Sequence, residues 1–362
     1  MNKRHINYWL LPLAWLYGGV ISLRNKLFDW GWLQSKSFHV PIICIGNLAV
    51  GGTGKTPHTE YLIRLLQGQG WSVATLSRGY KRRSTGFVLA TATSTADDLG
   101  DEPLQMRNKF PRLHVAVDAN RCRGINQLLQ LPQPPQVVLL DDAYQHRYVR
   151  AGLNILLTDY HRLWCDDALL PAGRLREPMY GRHRAQIIIV TKCPDNLKPI
   201  DYNILAKRLQ IHSYQAIYFS RLHYGALYPL FPQVAAPHPI VNATASILLV
   251  SGIANPDTLL HEVQRYGGQV IHLAYPDHHH FSNKDLADIE RHFSELKGEN
   301  RLLITTEKDA SRLITHPALS DGLKPYIYVL PIEIEILNNQ KESFNKQIIH
   351  YVRTHSRNSR LH

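Results

Sequence analysis

Residues 42–57 read Ile42-Ile-Cys-Ile-Gly-Asn-Leu-Ala-Val-Gly-Gly-Thr-Gly-Lys-Thr-Pro57, and this stretch decides the fold class of the chain. A short apolar strand runs into a glycine-rich loop, and an amphipathic helical stretch follows. Glycines let backbone N–H groups approach phosphate oxygens, and the N-terminus of a helix adds its positive dipole end. The pattern therefore predicts a P-loop, whose phosphate-binding residues are Gly51, Gly52, Thr53, Gly54, Lys55 and Thr56.

Within this loop, two side chains have separate predicted roles. Lys55 is expected to reach the β- and γ-phosphates, and the Thr56 hydroxyl is expected to bind Mg²⁺. Ala49 stands where the strict P-loop pattern has its first glycine, but the double glycine resembles the variant loops of another P-loop branch. The alternative is a glycine-rich turn that contains Gly-Lys-Thr by chance.

A second nucleotide signal is Val137-Val-Leu-Leu-Asp-Asp-Ala-Tyr-Gln-His146. Four apolar residues that end in two carboxylates are typical of a Walker B strand, so Asp141 and Asp142 are predicted Mg²⁺ ligands. Alternatively, the acids merely end a buried strand. Lys192 and Asp195 weakly resemble a guanine-binding Lys-x-Asp motif. Two residues separate them instead of one, so the spacing does not support guanine, and we expect ATP.

The length and composition predict two domains of ordinary globular character. The chain has 362 residues, a net charge of +12 and 44% hydrophobic residues, which excludes wholesale disorder. Its four cysteines form no CxxC pair, so a disulfide scaffold is not expected. Alternating strands and helices predict an α/β P-loop NTPase-type parallel sheet domain (37–221) and a second, smaller α/β domain (245–350). The predicted connection covers 222–244, and a polar tail covers 351–362.

The first 36 residues form a separate apolar segment. Residues 6–23 carry no charge, basic residues flank them on both sides, and their Trp and Tyr side chains are typical of membrane interfaces. Three interpretations fit: a helix that lies in the interface, a true membrane span, or a helix packed on the body. The basic flanks favour the first, in an anionic cytoplasmic leaflet.

Short motifs beyond the P-loop and Asp141-Asp-Ala-Tyr-Gln-His146 follow one another in a specific order. On these motifs the chain resembles the tetraacyldisaccharide 4'-kinase family of lipid A biosynthesis. Ala143 and Tyr144 depart from it, because Gly and Phe are usual at these positions. The further matching motifs are Leu76-Ser-Arg-Gly-Tyr80, Gly100-Asp-Glu-Pro103, Pro171-Ala-Gly-Arg-Leu-Arg-Glu-Pro178, Asp277-His-His-His280 and Thr305-Thr-Glu-Lys-Asp-Ala310.

The resemblance implies transfer of the ATP γ-phosphate to the 4'-hydroxyl of tetraacyldisaccharide 1-phosphate, which gives lipid IVA. It implies ATP and Mg²⁺ as cofactors, a lipid substrate, and a place at the cytoplasmic face of the bacterial inner membrane. Nucleic acid is not an expected partner, because the basic residues are scattered and no nucleic-acid module is present. The alternative function is a membrane-associated P-loop ATPase switch or delivery factor without a lipid acceptor.

The family match also implies catalytic roles. Asp101 becomes the predicted catalytic base, although its sequence context alone also fits a helix N-cap. His278 is expected to hold Asp101 ionised, with His279 as the alternative at this position and with plain surface or packing histidines as the other interpretation. Three adjacent histidines do not suit one metal ion.

Further polar residues of the motifs are candidates for contact with phosphates or substrate. Arginine suits phosphate because of its planar fork of donors, although surface ion pairs and a solvated basic loop are the plainer interpretations. No chemistry is assigned to Glu307, Lys308 or Asp309. The predicted substrate and phosphate residues are Arg78, Arg176, Glu177, Gln145 and His146.

Overall fold

The structure, a computed structural model, describes residues 6–235, 244–253, 256–277, 279–314 and 316–358. The chain divides into two compact units. The first contains residues 1–222 and 334–362, and the second contains residues 223–333. The second unit is thus inserted in the chain between two segments of the first.

A nine-stranded sheet forms the centre of the first unit, in the order β14-β8-β7-β6-β1-β5-β2-β4-β3. Each neighbouring pair of strands from β8 to β4 is parallel, and β3 adds an antiparallel edge. Its helices and strands are α1 (Leu11–Asp29), β1 (Ile42–Asn47), α2 (Lys55–Gly68), β2 (Val73–Ser77), β3 (Val88–Leu89), α3 (Ala96–Leu99), α4 (Asp101–Lys109), β4 (His114–Val117), α5 (Arg121–Leu129), β5 (Val137–Asp141), β6 (Leu153–Asp159), β7 (Ile187–Thr191), α6 (Pro199–Leu209), β8 (Ala216–Tyr224), β14 (Ile332–Ile336) and α10 (Lys341–Asn358).

The central strands are buried on both faces, which explains why they read as continuous apolar runs. In β1, every residue is buried between two apolar layers, one of which includes α2. Ile45 of β1 pairs in register with Asp141 of β5, so the P-loop and the acidic pair leave the sheet side by side. The carboxyl ends of parallel strands thereby bring the separate motifs to one edge, as the predicted α/β P-loop fold requires.

A five-stranded sheet forms the second unit, in the order β11-β10-β12-β13-β9. Strands β10 to β13 are parallel, and β9 is antiparallel at the edge. The elements are β9 (Tyr228–Pro229), β10 (Ser246–Ser251), α7 (Asp257–Gln264), β11 (Gln269–Ala274), α8 (Asn283–Glu295), β12 (Arg301–Thr306), α9 (Glu307–Leu313) and β13 (Ile327–Leu330).

The second unit ends well before the predicted boundary at residue 350. Strand β14 joins the first sheet beside β8, and α10 packs Phe344, Ile348 and Val352 into the first unit's core. The predicted polar tail from 351 also differs, because α10 continues to Asn358. Both differences arise because α10 is amphipathic: its apolar side chains recur at helical spacing and are buried on the sheet of the first unit.

Helix α1 packs on the first unit along one face only. Ala14, Gly18, Asn25 and Phe28 are buried, and the Gly18 Cα lies so close to Leu169 that a Cβ there would clash with it. The opposite stripe exposes Leu13, Leu16, Val20 and Leu23, and Trp9 is exposed in the short 3-10 turn that precedes α1; each of these side chains is more than half exposed. Among the residues that the structure describes, there is no helix long and apolar enough for a membrane span.

Candidate active site

The P-loop connects β1 to α2 and places Lys55 at the first position of the helix. Gly54, the N-cap, has a φ of +81°, a left-handed conformation that glycine adopts without strain. The Asn47 amide donates a 2.8 Å hydrogen bond to the Thr53 hydroxyl, which ties the end of β1 to the middle of the loop. The Lys55 Nζ lies 3.8 Å from the Asp142 carboxylate. The predicted loop and the predicted acidic strand therefore meet.

Asp141 and Asp142 occupy different environments. The Asp141 side chain is buried and accepts a 3.1 Å hydrogen bond from the Thr59 hydroxyl. Burial, together with the charges of Glu102 and Asp142, raises the pKa of Asp141 to about 7, against the opposing effect of Lys55. Burial would also raise the pKa of Asp142, but Lys55 and Arg176 outweigh it and hold the pKa below its usual range.

Arg176 lies at the same edge of the sheet as the P-loop, where its side chain contacts one carboxylate and one amide. Its guanidinium donates to both Asp142 oxygens, at 2.7 and 3.3 Å, and it also contacts the Asn47 side-chain oxygen. The Tyr17 hydroxyl of α1 donates to the Arg176 carbonyl at 2.7 Å. Arg176 therefore orients the acidic strand end in the structure.

Glu177 and Gln145 belong to one buried network. Glu177 is 1% exposed and accepts two 2.8 Å hydrogen bonds from Arg184. The Gln145 amide donates at 2.8 Å both to Glu177 and to the Asn47 carbonyl at the end of β1. This network connects the loop after the acidic pair to the P-loop strand. His146, half-buried beside it, has its pKa lowered first by burial and then by the charge of Arg121.

Tyr144, one of the two departures from the family pattern, is accommodated by close backbone packing. Its Cβ approaches Gly46 so closely that a Cβ on this glycine would lie 2.7 Å away. Its hydroxyl donates to the Gly181 carbonyl at 2.7 Å, and the Arg184 guanidinium lies 4.5 Å from the ring centroid. The larger ring thus has a partner for its polar end.

Asp101 is the first residue of α4, and Gly100 is the N-cap. The capping interpretation of Asp101 therefore does not describe its position. The Glu102 charge acts on Asp141, which places the first turn of α4 near the acidic strand end. Just after β2, the predicted phosphate residue Arg78 is exposed, whereas the nearby Arg82 donates to the backbone carbonyls of Val117 and Gly86 and stabilises its own loop.

Arg121, the first residue of α5, also lies at the site, although no sequence motif indicated it. This guanidinium is 4% exposed, and it donates to the carbonyls of Asp118 and Ala119. Its Nε is buried without a hydrogen-bond partner among the described residues, and its charge lowers the pKa of Asp142. The available signal was its place after β4, at the same edge of the sheet as the P-loop.

In the second unit, the predicted catalytic His278 lies outside the described residues. Its neighbours are held on both sides: Asp277 accepts from Lys308 at 2.7 Å, and the His279 imidazole lies 3.0 Å from Asp285. Asp309 is buried and accepts from the Gly252 N–H at 2.9 Å. Lys308 and Asp309, to which the sequence analysis assigned no chemistry, therefore organise the strand ends of this unit.

Comparison with known proteins places these observations in a family. The family model described as tetraacyldisaccharide-1-P 4'-kinase matches residues 6–353. A tetraacyldisaccharide 4'-kinase of Bacteroides thetaiotaomicron is 60% identical over 98% of this chain and 95% of its own length. That of Phocaeicola vulgatus is 52% identical over 99% of this chain and 98% of its own. A crystal structure of LpxK from Aquifex aeolicus in complex with ATP has a TM-score of 0.74 at 27% identity and covers 96% of this chain and 99% of that one. The resemblance inferred from the motifs is confirmed, and the chain belongs to the tetraacyldisaccharide-1-P 4'-kinase family.

Proposed function

We propose that this chain transfers the γ-phosphate of ATP to the 4'-hydroxyl of tetraacyldisaccharide 1-phosphate and so forms lipid IVA. The observation that carries the proposal is the pairing of Lys55 with Asp142 at the strand edge, in a chain whose relatives over nearly the whole length are named tetraacyldisaccharide 4'-kinase. A switch without a lipid acceptor is not favoured, because the family match covers both units.

The P-loop is expected to bind the polyphosphate through its backbone N–H groups, with Lys55 as the principal positive charge. The oxygen donors Thr56, Asp141 and Asp142 suit Mg²⁺, which prefers hard oxygen ligands. Mg²⁺, when bound, would neutralise charge on the phosphates. Asp142 already has a lowered pKa and offers a carboxylate at neutral pH. Burial is the main cause that raises the pKa of Asp141 to about 7, and a nearby cation would favour its ionised form.

Asp101 is the proposed base that accepts the proton of the attacking hydroxyl. The N-terminal end of α4 favours a carboxylate over the neutral acid, through the helix dipole. Such a base need only be weak, because phosphoryl transfer depends mostly on positioning and charge neutralisation. His278 remains the proposed partner of this base.

Cations at the strand edge are the proposed phosphate contacts. Arg78 is exposed just after β2. Arg121 is buried, its Nε has no hydrogen-bond partner in the described part of the chain, and its charge lowers the pKa of Asp142. Arg176 is proposed to share its guanidinium between Asp142 and an incoming phosphate, since the planar fork can serve two anions. The proposed role of Gln145, His146 and Glu177 is to shape this side of the substrate site.

The exposed stripe of α1 is proposed to lie in the membrane interface at the cytoplasmic face of the inner membrane. Leu13, Leu16, Val20 and Leu23 of α1, with Trp9 in the turn just before it, expose apolar and aromatic side chains, and such patches mark membrane or partner contacts. The helix also bonds to the Arg176 carbonyl through Tyr17. An interfacial α1 would hold the site beside a substrate whose acyl chains stay in the leaflet.

The direct test combines purified protein, γ-labelled ATP, Mg²⁺ and detergent-dispersed tetraacyldisaccharide 1-phosphate. We expect label on the lipid, and we expect its loss in Lys55→Ala without loss of fold, because this side chain supplies charge and not core packing. ATP hydrolysis without labelled lipid would contradict the kinase proposal and favour the switch. Full activity of Lys55→Ala would contradict the P-loop assignment.

A further inference from the structure

Two consecutive carbonyl groups of the P-loop accept hydrogen bonds from side chains outside the phosphate-binding sequence. The Thr191 hydroxyl, at the end of β7, donates a 2.9 Å hydrogen bond to the Thr53 carbonyl. The His58 Nδ1 lies 2.7 Å from the Gly54 carbonyl oxygen. A carbonyl oxygen can only accept, so His58 Nδ1 carries the proton of this bond. The Thr191 contact is buried and the His58 contact is partly buried, and the two side chains themselves are 0% and 2% exposed.

The direction of these carbonyls fixes the direction of the neighbouring N–H groups. In a planar trans peptide, the C=O and the following N–H point in opposite directions. Holding the Thr53 carbonyl toward Thr191 therefore turns the Gly54 N–H away from β7. Likewise, holding the Gly54 carbonyl toward His58 turns the Lys55 N–H outward at the start of α2. Backbone N–H groups attract a phosphate, whereas a carbonyl oxygen turned toward it would repel it.

The two tethers are themselves anchored in the sheet. The His58 Nε2 lies 2.9 Å from the hydroxyl of Ser220, a fully buried residue of β8. Thr191 shares its hydroxyl between the Thr53 carbonyl and the Thr158 carbonyl of β6, at 2.9 and 3.2 Å. The loop is therefore braced against β6, β7 and β8, on the side of β1 opposite the acidic strand β5.

We propose that His58 and Thr191 are positioning residues for the nucleotide, which turn the Gly54 and Lys55 N–H groups of the P-loop toward the polyphosphate before it binds. This inference rests on the proposed function, since it assumes that the P-loop binds ATP. It assigns the His58 imidazole a role that no P-loop pattern specifies. A loop ordered in advance binds more tightly, because less conformational entropy is lost when the ligand arrives.

The test measures Mg-ATP binding to the full chain by isothermal titration calorimetry, without acceptor lipid. In His58→Leu, loss of one hydrogen bond should weaken ATP binding about three- to tenfold. His58→Asn places an amide N–H near the position of Nδ1 and should restore the affinity. His58→Gln places its amide near the position of Nε2 and should not. Restoration by Gln but not by Asn would overturn the assignment to the Gly54 contact.

A second pair of variants keeps the test decisive if His58 substitutions do not fold. Thr191→Val removes the hydroxyl at nearly constant shape and should weaken ATP binding, whereas Thr191→Ser should retain it. The matched control is Tyr351→Phe, which removes a 2.9 Å hydrogen bond to the Ile42 carbonyl at the far end of β1. It should reduce stability without changing ATP affinity.

The outcomes separate this inference from the proposed function. If the wild-type chain does not bind ATP, the proposed function fails. If the wild type binds ATP and the His58→Leu and Thr191→Val variants bind it equally well, the positioning role fails and the contacts only stabilise the fold. An equal loss of affinity in Tyr351→Phe would likewise overturn it, because a general loss of stability would then explain the effect.

Discussion

Replacing Glu177 tests whether this predicted substrate residue acts by stabilising the fold. Its side chain is almost fully buried and accepts two hydrogen bonds from Arg184, whose side chain is 22% exposed. Removing one partner of a buried ion pair leaves the other charge uncompensated and costs about 3–5 kcal/mol. Because Arg184 keeps some solvent contact, we expect the lower end, about 3 kcal/mol, for Glu177→Gln.

The assay is urea unfolding followed by tryptophan fluorescence. All six tryptophans lie in the first unit, so the signal reports on the unit that contains Glu177. Arg184→Met should cost a similar amount, and the double variant should cost clearly less than the sum, since neither charge is then left alone. If Glu177→Gln unfolds at the wild-type urea concentration while its kcat collapses, the reasoning is refuted and Glu177 acts directly in catalysis.

Three other predictions concern the proposed base, the acidic pair and helix α1. Asp101→Asn should lower kcat far more than ATP affinity, and a pure loss of thermal stability would contradict a catalytic role. Asp141 binds a proton in the folded state up to about pH 7 but in the unfolded chain only up to about pH 4, so its contribution to stability falls as pH rises between these values. Asp141→Asn should remove that slope in urea unfolding without Mg²⁺, and an unchanged slope would contradict the raised pKa. The double variant Leu16→Glu with Val20→Glu should weaken binding to anionic vesicles, while the control Ile200→Glu, at an exposed site on α6, should not. Equal binding by the wild type, the double variant and the control would contradict the interfacial interpretation.

The P-loop and the acidic strand could be predicted from sequence because each is a contiguous pattern whose chemistry depends on local geometry. The structure then shows that β1 and β5 are parallel neighbours, which brings Asp141 beside the P-loop. The partners of individual arginines are not local. Arg176 contacts Asp142 and Asn47, which are distant in sequence, so its role as an orienting group appears only when the strands are assembled.

The domain boundary shows a different limit. Ile332-Glu-Ile-Glu-Ile336 alternates as a strand should, and α10 has an amphipathic stripe. Neither pattern states which sheet the segment joins, because an apolar face fits either core equally well. The choice of the first unit depends on contacts such as Tyr351 with the backbone of Ile42, which no local pattern encodes.

The late return of the chain to the first unit has a consequence for synthesis on the ribosome. The nine-stranded sheet is incomplete until β14 and α10 have been translated, whereas every element of the inserted unit has already been made by then. A nascent chain paused near residue 333 would therefore carry β8 paired with β7 but not with a complete β14, and the apolar surface that Phe344 and Ile348 later cover would face solvent. Folding of the nucleotide-binding unit is thus tied to synthesis of the chain as far as α10. A chaperone that shields that surface would act in the interval between the synthesis of β8 and that of α10.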